Sequence, residues 1–240
     1  MTLAWWRDRH PLARLERRRR HWLTQVAHWP ELVGLLGEPF PGPSADPWCL
    51  PMQVLDMEAS GLGERERLLS VGTLSMQAGM LHLGQSQHFY LAGQGVAPGT
   101  AVINHITPQD QLRGITPKEA LRRLLETLHG RVLVAHGAAI ERHFLHRLLA
   151  DHYPGVPEPP LLWLDTLSLE RSLSRHRGSG RQDYRLSEVR RERGLPAYVA
   201  HNALADTVAT GELLLVQMKE ILAGQPPTLG ALYQRVVAGR

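Results

Sequence analysis

Apolar residues recur along this chain with two periods, and the change of period marks its elements. From Pro11 to Trp29, the residues Leu12, Leu15, Trp22, Leu23 and Val26 fall at helical spacings, which predicts an amphipathic helix with a broad basic face. Four prolines and a glycine between Glu38 and Pro47 disfavour helix and central strand alike, so this stretch reads as a linker and the compact domain is expected to begin near Trp48. Met52 to Met57 reads as a buried strand. Leu68 to Gln77 and Met80 to Leu91 read as two more, joined by a tight hairpin at Ala78-Gly79, where glycine supplies a positive φ. Thr116-Pro117 then opens a helix through Leu128, with a hydroxyl cap, proline at the first helical position and Glu119 close behind. Val132 to Ala135 follows as a short strand, Ala138 to Ala150 as a helix, and Trp163 to Leu167 as a strand or turn running into a helix through Leu173. Arg175 to Arg185, rich in arginine, glycine and serine, reads as a mobile loop, and Leu186 to Arg193 and Ala203 to Leu222 read as helices. Three strands followed by alternating helix and strand predict an α/β domain with a mixed sheet. The expected organisation is a basic helical arm and linker over 1–47, the domain over 48–225 and a tail over 226–240.

Composition narrows the class. A chain of 240 residues with 43% hydrophobic content can bury one substantial core. Cys49 is its only cysteine, which excludes an intrachain disulfide and a zinc site built on several cysteines, and fits a reducing cytoplasm. There is no run of about 18 apolar residues to span a bilayer and no secretory h-region, so neither membrane insertion nor export is expected. The net charge of +4 is unevenly placed: residues 1–20 carry seven arginines against Asp8 and Glu16, a net +5, which leaves −1 for the other 220 residues. A basic arm on a near-neutral body suits a polyanion such as nucleic acid, and equally describes a solvated helix face.

The candidate chemistry lies in carboxylates. Asp56 and Glu58 stand two apart at the end of an apolar strand, so the period of two turns both to one face. Such a pair is usually a solvated strand end, but two like charges held together also suit a shared divalent metal, and Ser60-Gly61 breaks the strand just after them. His201 precedes a helix that carries Asp206 in its early turns among Ala203, Leu204, Val208, Leu213 and Leu214, a neighbourhood in which a carboxylate needs a partner. A histidine there could take a proton from water. Taken alone, Asp206 and also Glu141, on the first turn of the helix after Val132 to Ala135, would complement a helix N-terminus. A zinc site on His143 and His146 with Glu141 is a weaker alternative that lacks a further ligand by spacing.

In order, these segments resemble the DEDDh exonucleases, the family of polymerase proofreading subunits, oligoribonuclease and RNase T. The family's Asp-x-Glu-Thr-Thr-Gly-Leu is matched by Asp56-Met-Glu-Ala-Ser-Gly-Leu62, its His-Asn-Ala-x-Phe-Asp by His136-Gly-Ala-Ala-Ile-Glu141, and its His-x4-Asp by His201 and Asp206. Lesser echoes are Asn104-His105-Ile106-Thr107, Leu164-Asp165-Thr166 and Tyr184-Arg-Leu-Ser-Glu-Val189. Glu141 departs from the family aspartate by one methylene, about 1.5 Å of reach. The resemblance implies a ribonuclease H-like fold, a five-stranded mixed sheet flanked by helices with the strand of Asp56 in the middle, preceded here by the basic helical extension. It implies 3'-to-5' hydrolysis of nucleic acid with two divalent cations, Mg²⁺ or Mn²⁺, held by Asp56, Glu58, Glu141 and Asp206, with His201 as general base. Met57, Ala59, Leu62, His105 and Ile140 would border the last base of a single-stranded 3' end. A polymerase or repair complex is the partner class implied. The alternative is a weakly catalytic or non-catalytic nucleic-acid-binding partner on the same fold.

Overall fold

The computed structural model describes residues 10–61, 63, 66–93 and 106–240. Five strands form one mixed sheet in the order β3-β2-β1-β4-β5: β1 (Met52–Ala59), β2 (Leu68–Gln77), β3 (Met80–Tyr90), β4 (Val132–Ala135) and β5 (Trp163–Asp165). The first three run antiparallel as a meander, while β4 and β5 are parallel to β1, which is therefore central. The β2–β3 hairpin turns on Ala78 at φ 52° and Gly79 at φ 69°, the left-handed pair that a two-residue turn requires.

Alternation along β1 sends Met52 and Val54 into one apolar layer and Leu55 and Met57 into the other. The layer beneath Leu55 and Met57 is closed by α4 (Pro117–Leu128) and α5 (Ala139–His152), through Leu121, Leu124, Phe144 and Leu145. The opposite layer is closed by α8 (Ala203–Ile221) and α9 (Leu229–Gly239), through Leu214, Met218, Leu232 and Val236. Asp56 and Glu58 share the face that α8 covers, and the β1–β2 register shifts just after Glu58, so regular pairing ends where the carboxylates stand.

Several segments differ from the sequence expectation. The first helix ends earlier, as α1 (Pro11–Gln25), and a second short helix, α2 (Pro30–Leu36), follows it. Their apolar faces belong to the domain core: Trp22 is 2% exposed and Val26 fully buried. Trp22 donates from Nε1 to the Pro157 carbonyl (2.8 Å), and buried Arg19 donates to the Leu36 carbonyl (2.6 Å). The stretch between Glu38 and Pro47 has neither helix nor strand, yet Phe40 packs against the core and the Ala45 and Pro43 carbonyls accept from Leu229 and Gly230. The segment expected to trail the domain is α9, capped by Thr228. Leu229, Leu232, Tyr233 and Val236 recur on its buried face at the helical period. One further short helix, α3 (Pro108–Leu112), was not expected and carries a Thr107–Asp110 capping box.

The expected mobile loop is largely tied down. Arg175 and His176 complete α6 (Thr166–His176), and three arginines beyond it converge on Glu170, whose side chain is fully buried. Arg193 donates to Glu170 at 2.6 Å, Arg177 at 3.4 Å and Gln217 at 3.0 Å, while the Arg181 guanidinium lies 3.9 Å away. A buried carboxylate is tolerated only with such partners, and here they bind α6, the 177–185 segment, α7 (Leu186–Glu192) and α8 into one body.

Candidate active site

Asp56 and Glu58 reach the site from the end of β1, and Asp206 descends to meet them from the first turns of α8. Each offers an oxygen, and these oxygens lie within 4.8 Å of one another. Asn202 caps α8 by accepting from Ala205 N at 3.1 Å. The close approach of α8 to the sheet has a specific cause. Gly72 pairs with Asp56 across β1 and β2, and a Cβ on Gly72 would lie 2.2 Å from the Ala203 carbonyl oxygen. Only a residue without a side chain lets the helix start so near the central strand.

The fourth carboxylate, Glu141, enters from the first turn of α5. It is buried, at 4% exposure, and its Oε2 has no hydrogen-bond partner. An orphaned buried carboxylate oxygen is costly, and it is a place where a cation fits.

The electrostatics describe a charge cluster that needs neutralising. Burial, reinforced by the charges of Glu141, Asp206 and Glu58, holds the Asp56 carboxyl well above the usual range. Burial and then Asp206 push Glu58 up to about 7. Glu141 is raised by burial, with Asp165 and Glu58 adding to it, against hydrogen bonds from the backbone of Glu141 and Met57. Burial also raises Asp206, although Tyr198, the Asn202 amide and His201 all favour its charged form. An ordered set of mutually repelling carboxylates, one with an unused oxygen, fits a divalent cation held by oxygen ligands.

His201 stands exposed at the mouth of α8 with φ 62°, the left-handed conformation, so the chain turns sharply there before the helix begins. Among the other expected residues, Met57 is 4% exposed with its side chain in the core, Ala59 is half-buried, and Ile140 is half-buried against the same core. Leu62 and His105 lie outside the described residues. The zinc alternative on His143 and His146 is not supported: His146 Nε2 lies 3.1 Å from the Val156 carbonyl, and Asp56, Glu58 and Asp206 form the one cation-ready cluster among the described residues.

Other site residues were not anticipated as such. Tyr198 donates to Asp206 Oδ1 at 2.8 Å, and its ring lies 5.1 Å from the buried Arg190 guanidinium, which in turn donates to the Ala209 and Pro196 carbonyls. His136 sits in the segment leading to Glu141, with Nε2 2.8 Å from the Tyr184 carbonyl and Nδ1 2.9 Å from the Thr166 hydroxyl. A carbonyl only accepts, so Nε2 carries the proton, and burial lowers the His136 pKa. Asp165 caps α6 and accepts from Gly137 N at 2.8 Å, which fixes the turn before Glu141.

A mixed five-stranded sheet with carboxylates gathered at the end of its central strand, one more arriving on the last long helix, defines a nuclease of the ribonuclease H-like class. Residues 54–214 match the RNase T exonuclease family, and the chain belongs to that family, among the DEDDh-type 3'-to-5' exonucleases. The chain is 26% identical over 196 residues to the DNA polymerase III subunit epsilon of Treponema pallidum, covering 76% of this chain and 87% of that one. It is 25% identical over 172 residues to the PolC-type DNA polymerase III of Mycoplasmopsis pulmonis, covering 70% of this chain and only 11% of that polymerase. Among solved structures, exonuclease I of E. coli in complex with a dA16 oligonucleotide superposes with a TM-score of 0.60 at 18% identity, over 71% of this chain and 41% of that one. A complex of that enzyme with a dT13 oligonucleotide gives 0.59 at 18% identity, over 74% and 42%. The chain thus spans about two fifths of exonuclease I, and that likeness speaks for the fold.

Proposed function

We propose that this protein removes nucleotides one at a time from single-stranded 3' ends and releases nucleoside 5'-monophosphates. The observation that carries the reading is the convergence of Asp56, Glu58 and Asp206 within 4.8 Å, on a chain that belongs to an exonuclease family. Asp56, Glu58, Asp206 and Glu141 would hold two divalent cations, Mg²⁺ or Mn²⁺, which when bound offset the carboxylate charge, draw charge from the scissile phosphate and acidify the attacking water.

The chain's own residues do the rest. His201, exposed beside Asp206, takes the proton of the attacking water. Tyr198 and the Asn202 amide aim the two oxygens of Asp206. Ala59 and Ile140 border the last nucleotide; Met57 joins them through its backbone, because its side chain is in the core. The relatedness to polymerase III chains supports a polymerase as partner.

The test is digestion of 5'-labelled DNA and RNA oligonucleotides with Mg²⁺ or Mn²⁺, beside Asp56→Ala. A ladder shortening from the 3' end, absent in the variant, is expected. Wild-type protein that binds the oligonucleotides but cleaves none with either ion would overturn the reading in favour of a non-catalytic nucleic-acid-binding partner.

A further inference from the structure

The acidic centre repels the phosphates it must attract, and compensating charge is concentrated between residues 166 and 193, where eight arginines face four carboxylates. Most of these guanidinium groups are paired. Arg177, Arg181 and Arg193 surround Glu170, Arg190 pairs with Glu212, Arg185 with Asp183 and Arg191 with Glu188. Arg171 and Arg175 form no ion pair among the described residues; Arg175 donates to the Arg171 and Ala238 carbonyls, whereas Arg171 is exposed and places its guanidinium carbon 5.6 Å from the centre of the Tyr184 ring.

Tyr184 is held firmly and close to the carboxylates. Its carbonyl meets His136 Nε2 at 2.8 Å, and the charge of Asp206 is felt at that same imidazole. Arg181, its side chain 7% exposed and locked against Glu192, supports the ring at 5.8 Å. The anchoring uses only the Tyr184 backbone, which any residue would supply. The half-buried ring has a hydroxyl with no partner among the described residues, so fixing the loop does not account for the aromatic side chain. An aromatic surface combined with an unneutralised arginine, on a rigid support beside the site, is what single-stranded nucleic acid recognises: a base stacks, and a phosphate meets the cation.

We propose that Tyr184 and Arg171 form a docking platform for the single strand upstream of its 3' end. The proposal rests on the exonuclease reading for the strand's direction, whereas binding of the strand to the platform does not depend on cleavage.

The experiment is fluorescence anisotropy of a labelled fifteen-residue oligothymidylate with the full chain, in Ca²⁺ in place of Mg²⁺, across a salt series. Tyr184→Leu should weaken binding at least about fivefold without altering the salt dependence, since stacking of a base is lost and no charge. Arg171→Gln should reduce the slope of log affinity against log salt by about 0.7, one phosphate contact on a single strand. Tyr184→Phe keeps the ring and should bind as the wild type does, which separates stacking from damage to the loop. The proposal is overturned if Tyr184→Leu and Arg171→Gln bind within twofold of wild type, if Tyr184→Phe loses as much as Tyr184→Leu, or if the wild type does not bind. Hydrolysis of a thymidine 5'-monophosphate p-nitrophenyl ester, which has no upstream strand, reports on the chemistry separately. Its absence in the wild type would remove the exonuclease reading and leave the binding result standing.

Discussion

Gly72 and Ala203 approach so closely that a single methyl group on Gly72 would lie 2.2 Å from the Ala203 carbonyl oxygen. Since Gly72 is also the sheet partner of Asp56, this contact sets how far Asp206 stands from Asp56. Gly72→Ala should lift the start of α8, cost about 1–3 kcal/mol as overpacking does, and lower turnover by more than the loss of stability explains. Thermal unfolding and exonuclease rate, measured together, test this. A folded variant of unchanged activity would show that the approach does not set the site.

His201 combines a proposed catalytic side chain with a left-handed backbone at φ 62°. The two roles separate by substitution. His201→Gly removes the side chain and relieves roughly 1 kcal/mol of conformational cost, so folding stability should hold or rise. His201→Ala keeps that cost. Both should lose about 10² to 10⁴ in turnover, the usual weight of a general base, with divalent-ion binding largely intact. Full activity in either variant would assign the proton to another acceptor.

The carboxylate cluster predicts how stability responds to pH and to divalent ions. Glu58 titrates at about 7 when folded, against an ordinary 4.5. The folded protein therefore holds a proton that the unfolded chain releases, and without metal its stability should fall as pH rises from about 4.5 through 7. Asp56, Asp206 and Glu141 shift in the same direction. Divalent cations need the charged forms, so the rise in Tm on adding Mg²⁺ or Mn²⁺ should be larger at pH 8 than at pH 5.5. Asp56→Asn should reduce both effects. An increment independent of pH would place ion binding elsewhere.

Much of this was legible in the chain, and the parts that were not share a cause. Period-two alternation puts Asp56 and Glu58 on one face, and hydrophobic runs with glycine or proline at their ends give the five strands and the long helices. Leu229, Leu232, Tyr233 and Val236 carry a helical period as well, in a short segment that follows Pro226-Pro227. Tyr198 and Gly72 could not be found by pattern. Their importance lies in what the fold brings to them, the Asp206 carboxylate in one case and the backbone of α8 in the other. The buried charge of Glu170 likewise turns an arginine-rich, apparently loose segment into a tied one.

Glu141 offers a further test, because its Oε2 is buried without a partner. If that oxygen serves a cation, Glu141→Ala should depress activity with Mg²⁺, and Glu141→Asp, the family's usual residue, should keep or raise it. A purely structural carboxyl would instead tolerate Glu141→Gln without loss of rate. Comparable activity of all these forms would exclude a role for Glu141 in holding metal.

The basic first helix makes the last prediction, and its position decides the form. Its anchors are Pro157, on the segment that leads to β5, and Leu36 at the end of α2, whose Gly34 carbonyl meets His129 just before β4. The carboxylates stand at the end of β1, about 20 Å from its start at roughly 3.3 Å per residue. Arg14, Arg18 and Arg20 are exposed on this helix, where they can meet a strand that extends beyond the site. Replacing these three with glutamine should leave affinity for a trinucleotide unchanged and flatten the salt dependence for a strand of thirty, by up to about 0.7 per lost contact. Trp22→Ala should do the reverse. It empties a core position and removes the hydrogen bond to Pro157, at a cost of about 3–5 kcal/mol seen as a lower Tm, without a direct effect on the salt slope. If the triple glutamine variant binds the long strand with the wild-type salt slope, the arginines are a solvated face and the helix serves the fold alone.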